Sequence, residues 1–164
     1  DPNVTGIGHQ PMCYDQWAAL YNHYVVIGSK IKVQFFYGSN ITPLTEGFLC
    51  GINLQDDASL STDPSTVMEQ GLSKYRFGAA SGATNASRGM MVTKGFSAKK
   101  FFNITNPTDN VTRIGAGVGS SPAETANFIV FAGTPATDDL PFIKITVIIE
   151  YIVIFSEPKG QSQS

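Results

Sequence analysis

A run of fourteen mostly apolar residues near the C-terminus, FIKITVIIEYIVIF at positions 142–155, constrains the fold more than any other stretch. Every second residue from position 143 onward is apolar, whereas Lys144, Thr146 and Glu150 fall in the alternate register. Because successive side chains of a strand point to opposite faces, this pattern predicts a long strand with one apolar face. The run is too short for a membrane-spanning helix, which needs about 20 residues. A strand this apolar requires a paired neighbour and a second layer over its odd-numbered face, and we expect the rest of the chain to supply both.

Residues 23–37, HYVVIGSKIKVQFFY, predict a second long strand. Its apolar face consists of alternating odd-numbered residues, namely Val25, Ile27, Ile31, Val33, Phe35 and Tyr37. Shorter strands are predicted at residues 46–54, 72–78 and 126–133, with one or two more segments inside 90–104. Short helical turns are predicted after Asp15 and after Asp63, because aspartate caps helix N-termini well. Residues 105–125 have little pattern and are predicted to form a long loop.

These elements predict the fold class. Six or seven strands are separated by turns and loops, and the sequence has no βαβ spacing, no internal repeat and no heptad pattern. Such a sequence favours an all-β fold, an antiparallel sandwich or barrel, with one or two short helices in its loops. With 164 residues, the chain is expected to form a single domain over 1–164 that buries a substantial core.

Composition narrows the function classes. Charged residues make up only 15% of the chain and the net charge is −2, so the chain as a whole should not attract nucleic acid or anionic lipid. We expect no membrane partner, since no segment reads as a membrane span or a signal peptide. The two cysteines, Cys13 and Cys50, are too few for a disulfide framework and are predicted to be buried thiols.

Candidate catalytic and metal-binding groups are sparse. His9 and His23 lack a second ligand at metal spacing, and no serine lies in a Gly-x-Ser-x-Gly turn. The acidic pairs Asp56-Asp57 and Asp138-Asp139 have the hard oxygen ligands that calcium prefers, but they are more typical of solvated turns. The sequence therefore predicts a protein that is not an enzyme and needs no cofactor.

One basic and aromatic stretch is a candidate nucleic-acid site. The basic residues are Lys94, Lys99, Lys100 and Arg113, and the interleaved aromatic residues are Phe96, Phe101 and Phe102. Cationic and aromatic side chains together hold single-stranded nucleic acid by charge and stacking. The structural alternative is that the phenylalanines face the core while the lysines face water.

Several stretches taken in order resemble a known family. They are GIGHQPMCYDQWAALYNHYVVIGSKIKVQFF, KGFSAKKFF, SPAETANFIVF and FIKITVIIEYIVIFSEP. Together they resemble the capsid proteins of circovirus-like viruses, which have small circular single-stranded DNA genomes. The most specific parts are Gly8-His9-Gln10-Pro11, Leu20-Tyr21 and the strand from Val26 to Ile31, followed by the segments Ile149–Tyr151 and Phe155–Pro158.

The resemblance implies a single jelly roll of two packed sheets, which self-assembles into a T=1-like icosahedral shell of about sixty copies. It also implies an arginine-rich N-terminal arm that binds the packaged single-stranded DNA. Both that arm and the first strand of the jelly roll would lie upstream of Asp1. The expected location is the virion, with assembly in the host nucleus, and a host receptor that the sequence does not identify.

Two other functions fit the same residues. A secreted jelly-roll module, such as a lectin or a trimeric ligand, would account for the five Asn-x-Ser/Thr sequons at Asn3, Asn40, Asn85, Asn103 and Asn110. A coat protein of a small RNA virus or satellite virus would share the jelly roll, and the core sequence separates the two kinds of coat protein poorly.

Overall fold

The computed structural model describes residues 10–37, 48–59, 63–78, 89–134 and 143–160. The strands are β1 Tyr21–Tyr37, β2 Phe48–Gln55, β3 Ser73–Gly78, β4 Met90–Ser97, β5 Gly115–Gly117, β6 Asn127–Gly133 and β7 Ile143–Pro158. The helices are α1 Tyr14–Leu20, α2 Pro64–Glu69, α3 Ala98–Phe101 and α4 Val111–Ile114, with a 3-10 turn over Pro107–Asn110.

The strands form two sheets. In one, β1 pairs with β4, with β5 and with β7, and in the other β2 lies between β3 and β6. The pairs β1–β5, β2–β3 and β2–β6 are antiparallel. The first described strand thus pairs with the last, and the second with the last but one.

The described residues fall into two compact units. The first contains residues 10–30, 95–125 and 150–160, and the second contains the remainder. Strands β1, β4 and β7 each contribute residues to both units.

The second unit has a sandwich core. Ile31, Val33 and Phe35 from β1 pack with Phe48, Cys50 and Ile52 from β2, and every one of these side chains is almost fully buried. Val92 of β4 is buried in the same cluster, and Phe128, Val130 and Ala132 of β6 pack against it. Each fully buried large apolar side chain contributes roughly 1.5–3 kcal/mol by leaving water. In this unit, every second side chain of β1 therefore packs against every second side chain of β2, and these contacts hold the two sheets together.

The first unit has two smaller cores. In one, Tyr14 and Ala18 of α1 pack with Tyr24 of β1. The partly buried Val153 and Phe155 of β7 pack against this cluster. In the other, Val25 packs with Ala98 and Ile114, which places α3 and α4 against β1. The Tyr24 hydroxyl donates a hydrogen bond to the carbonyl of Ser120 at 2.9 Å, which ties β1 to the segment after β5.

The predicted fold class, an all-β antiparallel jelly-roll sandwich of two sheets with short helices, is confirmed. The described residues contain four short helices rather than one or two. Both long strands are present, and the two predicted helical turns are α1 and α2. Asp15 does not cap α1 as predicted, because the helix begins at Tyr14, so that Asp15 lies in its first turn and Cys13 takes the N-cap position. The single jelly-roll core over 1–164 and the missing upstream strand stay predictions.

Three local predictions were wrong. Residues 98–101 form a helix rather than strand, because Ala98 is buried against Val25 and Ile114 at that point. Residues 105–125 include α4 and β5 rather than forming one loop. Cys13 is exposed, since it precedes α1, whereas Cys50 is buried as predicted.

The predicted cover over the odd-numbered face of β7 is present only near its ends. Ile143 packs against the core of the second unit, and Val153 and Phe155 pack against a core of the first. Between them, Ile145, Val147 and Ile149 are 52, 42 and 40% exposed. The physical reason is that, in the second unit, the sheet of β2, β3 and β6 packs against the apolar side chains of β1 and β4 instead of those in the middle of β7.

Candidate functional surfaces

The short helix α3 presents two of the predicted nucleic-acid-binding residues to solvent. Ala98, at its start, is fully buried, while the following Lys99 and Lys100 are exposed. The backbone N–H of Phe102 closes the turn on the carbonyl of Ala98 at 3.1 Å. One buried alanine therefore fixes two neighbouring lysines on the outer side of a single turn.

Arg113, the third predicted residue, is half exposed at the end of α4. Its Nε lies 2.6 Å from Oε1 of Glu124, and its guanidinium carbon lies 5.9 Å from the ring centre of Phe102. The hydrogen bond and the negative charge of Glu124 raise the pKa of Arg113. Since Phe102 directly follows α3, this ring contact joins Arg113 to the segment that carries Lys99 and Lys100.

Lys94, the fourth predicted residue, lies in the second unit. Partial burial and, to a smaller extent, the positive charge of Lys74 lower its pKa. The structure therefore brings Lys99, Lys100 and Arg113 into one unit and places Lys94 beside a different lysine.

The interleaved phenylalanines contact one another. The rings of Phe96, Phe101 and Phe102 meet edge to face, with centroids 5.1–6.2 Å apart. Phe96 and Phe102 also pack against the buried Val25–Ala98–Ile114 cluster. All three rings are only partly exposed, so their free area for stacking on bases is limited.

A second surface is an aromatic cleft in the first unit. It is lined by Trp17, Tyr21, Val153 and Phe155 and has a volume of about 400 Å³. The Phe155 ring is also near the rings of Tyr14 and Tyr24, at 6.0 and 6.5 Å. Trp17 and Tyr21 are four residues apart, a spacing that brings two side chains to one side of a helical turn, but Phe155 lies too far along the chain for the sequence to place it there.

The third surface is the exposed apolar part of β7, which we call the β7 surface. It consists of Ile145, Val147, Ile148, Ile149, Ile152 and Ile154, with exposed fractions between 38 and 62%. Because successive side chains of a strand point to opposite faces, Ile145, Val147 and Ile149 lie on one face, and Ile148, Ile152 and Ile154 lie on the other. Scattered exposed apolar side chains are ordinary, but an exposed apolar row on both faces of one strand is of the kind that marks an interaction site. The sequence predicted the strand and missed its exposure.

The loop acids and histidines give no metal centre in the described ranges, where no three His, Cys, Asp or Glu side chains are grouped. Asp57 accepts a hydrogen bond from the backbone N–H of Ser59, and Asp56 accepts one from that of Asp57, as in a turn. His23 lies 3.0 Å from Glu157, while His9 and Asp138-Asp139 fall outside the described residues. None of the helices in the described part is long and apolar enough to cross a membrane.

No protein-family model matches the sequence, and no curated protein matches it. Among solved structures, the chain is similar to one of Desmodium yellow mottle tymovirus, with 15% sequence identity and a TM-score of 0.43. The match covers 94% of this chain and 76% of that one.

Proposed function

We propose that this protein is a viral coat subunit, which is not an enzyme and acts by associating with copies of itself to form a closed shell. The observation that carries the proposal is the β7 surface, where six aliphatic side chains of one strand face solvent in the single chain. A monomer gains nothing from exposing this much apolar area, whereas a subunit of a permanent assembly buries it against its neighbours. Obligate interfaces are more apolar than ordinary protein surfaces, in agreement with this composition.

The finer proposal follows the sequence resemblance. The shell would be a T=1-like icosahedron of about sixty copies around a circular single-stranded DNA genome, and the protein would reside in the virion and assemble in the host nucleus. The packaged strand would contact the exposed Lys99 and Lys100, with Arg113 beside them and Lys94 separately. Because the net charge is −2, these few residues cannot neutralise a genome, and the arm implied by the resemblance would supply most of the positive charge.

Electron microscopy of the purified protein tests the proposal. We expect uniform closed particles, or the pentamers from which such shells are built. A protein that stays monomeric at high concentration would contradict the coat function. Digestion of the nucleic acid from the particles with DNase or RNase distinguishes the DNA genome from that of an RNA or satellite virus.

A secreted binding module is the second candidate, and the aromatic cleft favours it. Trp17 is 49% exposed and stands beside Tyr21 in an open cleft of ligand size. A flat indole face suits stacking against a sugar ring, as in a lectin. A glycan array with the purified protein separates the two candidates, since a coat subunit without a sugar receptor would bind none of the glycans.

A further inference from the structure

The two cations of β3 project from the core-facing side of their sheet. In the pairing of β3 with β2, Arg76 stands opposite Cys50, which is fully buried in the core of the second unit. Lys74 stands opposite Ile52, which is buried in the same core. Directly opposite residues of an antiparallel pair have their side chains on the same face of the sheet. This arrangement is the reverse of the usual one, in which a strand turns its charged residues away from the core.

The aromatic side chains of β3 project from the outer face of the same sheet. Tyr75 and Phe77 alternate with the cations and are 40 and 61% exposed. Their rings meet edge to face with centroids 5.7 Å apart. On this face Tyr75 stands opposite Gly51, and the lack of a side chain at Gly51 leaves room for the ring of Phe131 from β6. The outer face of β3 therefore offers two rings to solvent instead of polar groups.

Strand β4 adds a third cation to the core-facing side. Val92 is buried in the core of the second unit, and Lys94, two residues later, projects from the same face of β4. A Cβ atom on Gly78, at the end of β3, would lie 2.8 Å from Cε of Met90, at the start of β4, so the two strands approach closely. Partial burial and, to a smaller extent, the positive charge of Lys74 lower the pKa of Lys94.

Within the described ranges, no carboxylate forms an ion pair with Lys74, Arg76 or Lys94. Lys74 and Arg76 are exposed although they start from the core-facing side, because their long side chains reach water past the strand. Inward-pointing cations by themselves would be explained as protection of a strand edge against pairing. That explanation does not extend to the exposed rings of Tyr75 and Phe77, which make the same strand more adhesive.

A ligand that satisfies both sides of β3 needs negative charges and flat apolar rings together. Free phosphate would neutralise the cations and leave the rings in water. An apolar protein segment would cover the rings and leave the cations without counter-ions. A single strand of nucleic acid has both groups, since its backbone is a row of phosphates and its unpaired bases stack on aromatic side chains.

We propose that β3 binds single-stranded nucleic acid, with the phosphates at Lys74, Arg76 and Lys94 and the bases stacked on Tyr75 and Phe77. The inference rests on the proposed coat function for the source of the strand, and it deepens that function by naming a contact in the second unit. It also gives Lys94, which lies apart from α3, a place in a binding site.

Substitution of the cations tests the phosphate contacts. The background for this test is the variant Lys99→Ala/Lys100→Ala, which removes the other candidate contact. In that background, Lys74→Ala/Arg76→Ala should weaken binding of a fluorescent oligodeoxythymidylate in anisotropy measurements. Its slope of log affinity against log salt should be shallower by about 1.4, because each phosphate contact to a single strand contributes about 0.7.

Substitution of a ring tests the stacking and has a different signature. In the same background, Phe77→Leu keeps an apolar side chain but removes the ring, and it should weaken binding about tenfold at every salt concentration with an unchanged slope. Phe77→Trp keeps a flat ring and should bind at least as tightly as Phe77. Cation variants that lose affinity while Phe77→Leu binds normally would indicate a site for any polyanion and would overturn the proposal.

Two residues of the same unit provide matched controls. Lys144 is an exposed cation of β7, and Met91 is an apolar side chain of β4 that is 57% exposed. Lys144→Ala should leave the slope unchanged, and Met91→Ala should leave the affinity within about twofold of the unchanged protein. Changes as large as those of the β3 variants would show that binding is not localised at β3.

Electron microscopy of the same variants separates this inference from the coat function. Normal shells, together with β3 variants that bind the oligonucleotide as well as the unchanged protein, would refute the β3 site and leave the coat function standing. Both expected signatures, in a protein that never forms shells, would support the β3 site and refute the coat function.

Discussion

The indole ring of Trp17 in α1 stacks on the phenyl ring of Phe155 in β7, with ring centroids 6.2 Å apart and an angle of 22° between the planes. Tyr21 lies near both rings, at 6.2 Å from Trp17 and 6.0 Å from Phe155. The N-terminal helix is thus attached to the last strand by aromatic contacts. The Nζ of Lys159 adds a hydrogen bond to the carbonyl of Ala18 at 2.9 Å.

Truncation of Phe155 should therefore loosen α1. We expect Phe155→Ala to lower the free energy of unfolding by about 2–3 kcal/mol, somewhat less than for a fully buried phenylalanine. It should also shift the emission of Trp17, the single tryptophan, to longer wavelength in the native state. Urea unfolding followed by tryptophan fluorescence measures both effects.

Ile152→Ala is the control for this prediction, because Ile152 lies on the opposite face of the same strand and is 62% exposed. Its loss should cost about 1 kcal/mol or less, mainly through strand propensity. Equal effects of the two substitutions would show that the aromatic contacts do not hold α1.

A second prediction concerns Gly51 in the centre of β2. A Cβ atom at this position would lie 2.5 Å from Cζ of Phe131 and 2.7 Å from the backbone oxygen of Lys74. The backbone of β3 cannot move without breaking its pairing with β2, so we expect Gly51→Ala to destabilise the protein by about 1–3 kcal/mol. Thermal or urea unfolding gives the change.

Gly71 offers the matched control. A Cβ atom there would meet no other atom within 4 Å, and we expect Gly71→Ala to be neutral or to stabilise by up to about 1 kcal/mol. A Gly51→Ala variant as stable as Gly71→Ala would contradict the close approach of β2, β3 and β6.

Much of the fold was predictable from local pattern. Strands β1 and β7 each extend over more than a dozen residues, and their alternation of apolar side chains is visible without any long-range information. Helix α3 was not predictable in the same way, since Phe96, Ser97 and Ala98 continue the alternation of apolar and polar side chains of the preceding strand. Ala98 becomes a helical anchor only because Val25 and Ile114, both distant in sequence, close around it.

The candidate surfaces were likewise predictable only in part. Periodicity identified the apolar face of β7, but it gives no information on which element covers that face, and exposure of Ile145 and Val147 depends on where the second sheet lies. The basic residues were visible in the sequence. The pairing of Arg113 with Glu124 was not, because it joins two positions within a segment without periodicity.

The third prediction concerns the two thiols. Burial raises the pKa of Cys50 to about 11, against a small opposing effect of the Arg76 charge. Since the thiolate is the reactive form, Cys50 should stay unmodified by maleimide or a disulfide reagent at pH 7–8, while the exposed Cys13 reacts readily. Mass spectrometry of the native protein should therefore show one modified cysteine.

Cys13→Ser is the control for that measurement. This variant should show no reactive thiol until the protein is unfolded, when Cys50 becomes accessible and its pKa returns to the ordinary value. Rapid native labelling of Cys50 would mean that the core of the second unit opens frequently.

The last prediction concerns nucleic-acid binding by α3. If Lys99 and Lys100 contact two phosphates of a single strand, the double variant Lys99→Ala/Lys100→Ala should bind a fluorescent oligodeoxythymidylate more weakly. Its slope of log affinity against log salt should be shallower by about 1.4, since each phosphate contact to a single strand contributes about 0.7.

Lys30→Ala is the control, because Lys30 is also exposed in the first unit but lies on β1, away from α3. Fluorescence anisotropy over a range of salt concentrations gives both slopes. An unchanged slope in the double variant would assign these lysines to the solvated face of a structural turn. A change of about 0.7 in Lys30→Ala, which removes one charge instead of two, would indicate unspecific attraction by net charge alone.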